Sequence, residues 1–98
     1  MQISKTTINM AARRGFGVSV SVYTAAELRQ INRKVNDDDS AVVVEFFSKS
    51  SDAAAWYIDR GHFLQFAQAT VQAEEWPATI RNEQEIRGLL PDMAAVLA

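Results

Sequence analysis

Residues 16–23 read Phe16-Gly17-Val18-Ser19-Val20-Ser21-Val22-Tyr23 and run straight into Thr24-Ala25-Ala26-Glu27. The first stretch alternates with period two, so Phe16, Val18, Val20 and Val22 share one face of a half-buried strand while Gly17, Ser19, Ser21 and Tyr23 share the other. The second has the spacing of a capping box: the Thr24 hydroxyl accepts from the Glu27 amide while the Glu27 carboxylate reaches back to the Thr24 amide. A strand that hands over directly to a helix commits the chain to a fold that mixes both. The helix carries Leu28, Ile31 and Val35 at helical spacing until Asn36-Asp37-Asp38-Asp39-Ser40 ends it with residues that bond their own turns.

The remaining elements follow from the same rules. Residues 41–47 are almost continuously apolar and rich in β-branched and aromatic types, which predicts a strand covered on both faces and central in its sheet. After the cap candidates Ser50, Ser51 and Asp52, the residues Ala53, Trp56, Tyr57, Phe63, Leu64, Ala67 and Val71 fall on one side of a helical wheel and predict one long helix, interrupted at Gly61. Trp76-Pro77 ends it. Residues 77–98 are expected to form a helical tail, broken at Gly88 and Pro91. Residues 1–14 fit two alternatives: Ile3, Ile8 and Met10 suit a strand hairpinned to 16–23, the reading favoured here, nearly as well as a short helix capped by Ser4. The expected fold is therefore a single α+β domain over 1–98, with a small, about three-stranded, mainly antiparallel sheet on one long helix and a helical tail. Its expected core is Val18, Val20, Val22, Val42, Val44, Phe46, Phe63 and Leu64.

Composition bounds the function. With 98 residues and 48% hydrophobic content the chain can bury one core without staples, and it has no cysteine to form any. The absence of cysteine and of a signal-like or membrane-spanning apolar run makes a cytoplasmic protein the expectation. No cofactor is implied: Gly15-Phe16-Gly17 lacks the third glycine of a dinucleotide fingerprint, and no phosphate-binding lysine follows. One histidine and an acidic run without calcium-loop spacing give no metal site.

Asp59 stands three residues before His62, the sole histidine, and on a helix could orient it as a small enzyme's dyad; this is the weakest reading, and no catalytic residue is assigned. Glu45 and Arg60, each interrupting an apolar surface, could pair across a sheet–helix interface.

Charge gives more direction. Residues 1–34 hold six basic groups against Glu27, for +5, which leaves −7 on residues 35–98. Arg13, Arg14, Arg29, Arg33 and Lys34 are the candidate contacts to an acidic partner, and Trp76, between Glu74-Glu75 and a proline, is the aromatic expected at the surface. The expectation is a non-enzymatic protein–protein interaction module, such as an inhibitor, adaptor or regulatory protein. That makeup is common among small accessory proteins of phage and mobile elements. The alternative is a nucleic-acid binder using the same basic residues, which a pI near 5.3 disfavours. Self-association is left open by the sequence.

Overall fold

The computed structural model describes every residue except Val35, Asp37, Ala73 and Glu74. Its elements are α1 (Lys5–Arg13), β1 (Phe16–Tyr23), α2 (Ala25–Ile31), β2 (Ala41–Ser48), β3 (Ala54–Asp59), β4 (Leu64–Ala69), β5 (Thr79–Ile80) and α3 (Glu83–Leu97). The strands form one antiparallel sheet in the order β1-β2-β3-β4-β5. The α+β class holds, but three strands on one long helix do not: among the described residues there are five strands and three helices.

The largest correction lies at residues 53–71, which form a hairpin and no helix. Tyr57 sits opposite Phe66 and Asp59 opposite Leu64. Both faces of β3 are covered, so its sequence Ala-Ala-Trp-Tyr-Ile-Asp shows no alternation, and its apolar positions matched a helical wheel as well as a strand. The turn supplies the distinguishing chemistry. Gly61 adopts φ +92°, a conformation that favours glycine, its amide donates to Asp59 Oδ1 at 2.8 Å, and the Arg60 amide closes onto the Phe63 carbonyl at 2.9 Å. β2, expected to be central, is the second strand, and β3 occupies the middle.

Residues 5–13 are helical, the alternative to the favoured strand, and Ser4 caps them by accepting from the Thr7 amide. The tail is also rearranged. Ile80 belongs to a two-residue strand, and α3 runs unbroken through Gly88 and Pro91. Both of those residues are exposed, while Ile86, Leu90, Met93 and Leu97 form a fully buried stripe on the opposite side; that burial outweighs the amide bond Pro91 cannot make.

α1 and α3 cover one face of the sheet over a core that includes Phe16, Val44, Phe46, Tyr57, Leu64 and Ile80. On the other face α2 seals a smaller core of Leu28, Val43, Ile58 and Ala67. Its capping box is present, with Glu27 N to Thr24 Oγ1 at 3.2 Å and Thr24 N to Glu27 Oε1 at 3.0 Å. Asn32 at its end donates to the Ala67 carbonyl at 2.7 Å. Of the expected core, Val18, Val44, Phe46 and Leu64 are buried and Val42 and Phe63 half-buried, whereas Val20 and Val22 are exposed.

Candidate functional site

The two edges of the sheet are built differently. β5 contributes two residues and follows closely on Pro77, so it offers a visiting strand almost nothing to pair with. β1 is eight residues long, pairs among the described residues only with β2, and contains neither charge nor proline. Edges of that kind are normally blunted by lysines, prolines or bulges, because a row of free amides and carbonyls invites another chain.

Burial changes along β1. At its start, Phe16, Gly17 and Val18 are covered on both faces: α1 and α3 lie over one, and the Phe47 ring lies across the other, so close that a Cβ on Gly17 would come within 2.3 Å of the ring's Cζ. α3 ends at this same end of the strand, where a Cβ on Gly15 would lie 3.4 Å from that of Ala98. Towards Tyr23 the helical cover is gone. Val20, opposite Val44, is 48% exposed and Val22, opposite Val42, 66% exposed, on the face that the helices cover elsewhere. The strand's last five residues thus present exposed backbone edge and exposed valines together.

The residues proposed from charge are not gathered. Arg13 and Arg14 precede β1, while Arg29, Arg33 and Lys34 follow its far end, so a strand about 24 Å long separates the two groups. All five are exposed. Trp76, expected at the surface, is buried at 8% exposure, because it packs into the larger core and the Tyr57 hydroxyl donates to the neighbouring Pro77 carbonyl at 2.8 Å. It lines a cavity of about 280 Å³ together with Gln72, Glu75, Asp92, Ala95 and Val96.

The Asp59–His62 dyad required a helix that is absent. His62 is exposed in the β3–β4 turn, and the Asp59 carboxylate holds the Met1 ammonium, with both oxygens at 3.1 Å. The Glu45–Arg60 pair also loses its premise, since Arg60 lies in the β3–β4 turn and on no helix, and the register puts Glu45 opposite Trp56. Glu45 accepts from the indole Nε1 at 2.7 Å, and Arg60 Nε donates to Gln65 Oε1 at 2.8 Å. Beside that indole, burial first and the Glu45 charge second push the Tyr23 phenol up from its ordinary pKa. Asp38, Asp39, Asp59 and Arg60 border an open hollow. Among the described residues, no three His, Cys, Asp or Glu side chains are placed to hold a metal ion, and no helix is long and apolar enough to cross a membrane.

No protein-family model, curated protein or solved structure matches the chain.

Proposed function

We propose that this chain is a non-enzymatic protein-interaction module, of the kind an inhibitor, adaptor or regulatory protein provides, and that it engages its partner by strand addition at β1. The observation that carries this reading is the contrast between the sheet's edges, one reduced to two residues and the other long, uncharged and flanked by exposed Val20 and Val22. In strand addition the main chain supplies the hydrogen bonds and alternate side chains supply selectivity, so the valines would choose a partner strand with apolar groups on the same face.

The test is capture from the native cell with the tagged chain, in the presence of untagged chain, at low and high salt. Val22→Lys puts a charge on a residue already mostly in water, so the fold is retained while the apolar edge is lost. We expect it to reduce the recovered partner at least about tenfold, corresponding to about 1.4 kcal/mol, with little dependence on salt. Undiminished recovery with Val22→Lys would rule out the β1 edge. Recovery of nucleic acid that falls steeply with salt and is lost with Arg13→Ala plus Arg14→Ala would replace this reading by the nucleic-acid one.

A further inference from the structure

We infer that the strand added at β1 is β1 of a second copy, joined antiparallel about a twofold axis through Val20 to give a continuous ten-stranded sheet. The inference rests on the reading of β1 as an interaction edge and names its occupant. Val18-Ser19-Val20-Ser21-Val22 reads the same in both directions. Paired antiparallel about Val20, each residue therefore meets its own kind: Val20 faces Val20, Val18 faces Val22 and Ser19 faces Ser21. Because side chains alternate strictly along a strand, this pairing keeps the valines of both copies on the face that carries α1 and α3. It extends that apolar surface across the seam, and it covers the two valines that the helices leave in water.

The centre is chosen by residue matching and charge. A twofold at Val20 keeps residues 17–23 of both copies in the ladder; one at Ser19 keeps as many, 16–22, but sets Phe16 opposite Val22 and Gly17 opposite Ser21. The Val20 axis alone of the two matches valine with valine and serine with serine across its central five residues. It also carries the Arg13–Arg14 end of each copy towards the Thr24–Glu27 turn of the other, setting an exposed basic pair near the acidic first turn of α2. One pair of strands with two valines from each copy is smaller than the roughly 1,200–2,000 Å² of a standard stable interface, so the dimer is a reversible one with micromolar affinity.

Sedimentation equilibrium of the purified full chain from about 1 to 200 µM reads this directly, a range set by that modest interface. The expected result is a monomer–dimer equilibrium that Val20→Lys shifts to monomer, with circular dichroism unchanged because Val20 is already half in water. Cysteine pairing then locates the axis, which the cysteine-free chain allows with single substitutions. In Val20→Cys the two Cα atoms stand about 4.5 or 5.5 Å apart, according to whether that pair is hydrogen-bonded, which is within disulfide range. In Val22→Cys the two positions are offset by roughly 14 Å along the strands and should stay reduced. Rapid oxidation of Val20→Cys alone supports the twofold; equal oxidation of both variants, or a dimer indifferent to Val20→Lys, overturns it. A chain that stays monomeric to about 200 µM also overturns the second copy as occupant. A lysine-flanked peptide of residues 16–23 then separates the two ideas. If it shifts the β1 amide resonances of that monomer, the edge still accepts strands; if β1 does not respond, the interaction reading falls as well.

Discussion

Tyr57→Ala is expected to lower stability by about 3–5 kcal/mol, the range for removing a large aromatic from a packed core. Tyr57 is fully buried at the middle of the central strand and meets Phe46 and Phe66 edge-on, with ring centroids 5.8 and 5.4 Å away. A domain of this size has about 5–15 kcal/mol in all, so the loss removes a large share, and the thermal midpoint should fall by roughly 15–25 °C. Tyr57→Phe separates packing from hydrogen bonding. It keeps the ring but leaves the Pro77 carbonyl without its donor, for an expected cost of about 1–2 kcal/mol. Urea unfolding of both variants provides the measurement; a Phe variant as stable as the parent would show that the hydroxyl does not hold the β4–β5 connection. Burial also raises the Tyr57 phenol well above its ordinary value of 10.0. The stability tied to that shift is complete below pH 10 and is lost as pH rises through the folded value.

What local chemistry decides was legible in the chain. β1, the capping box of α2 and β2 depend on alternation, on a four-residue cap and on a β-branched run, and each lies where those signals put it, within a residue or so. The β3–β4 hairpin was illegible because both faces of β3 are covered, which erases alternation there, while a register shift opposite Trp56 and Tyr57 leaves β4 buried at every third residue, spacing that a helix also satisfies. Asp59 and Gly61 held the turn signal, and reading Gly61 as a helix interruption and Asp59 as a helical partner of His62 concealed it. Pro91 misled in the opposite sense, because its effect depends on a buried stripe that only the folded partner surface reveals. The site divides in the same way. Alternation in 16–23 showed which residues share a face, but whether that face is covered depends on where α1 and α3 lie, so Val20 and Val22 were assigned to the core. An edge is a property of strand order, which no single segment encodes.

The two helices that leave those valines open are fastened to each other through one carboxylate. Glu83, in the first turn of α3, accepts from the Ser4 amide at 3.0 Å and from the Ser4 and Thr7 hydroxyls at the start of α1. Arg87 stands 3.5 Å from the same carboxylate and donates from Nε to Thr7 Oγ1 at 3.0 Å. The Ser4 and Thr7 side-chain bonds, ahead of the Ser4 amide and the Arg87 charge, hold the Glu83 pKa down to about 2 from 4.5. A carboxylate with a depressed folded pKa contributes stability that is fully present above its unfolded value and is lost as pH falls through the folded one. The α1–α3 contact should therefore weaken between about pH 4.5 and pH 2. Glu83→Ala should cost about 2 kcal/mol at neutral pH, the scale of hydrogen bonds to a charged acceptor. Its thermal midpoint should lie below that of the parent at pH 7 and converge on it near pH 2. Thr7→Val removes one donor while keeping the side chain's shape, so it should raise the Glu83 pKa and move the acid-sensitive window to higher pH. A gap between parent and Glu83→Ala that is constant from pH 7 to pH 2 would show that Glu83 acts by packing, and that the charge on it contributes nothing to docking α1 on α3.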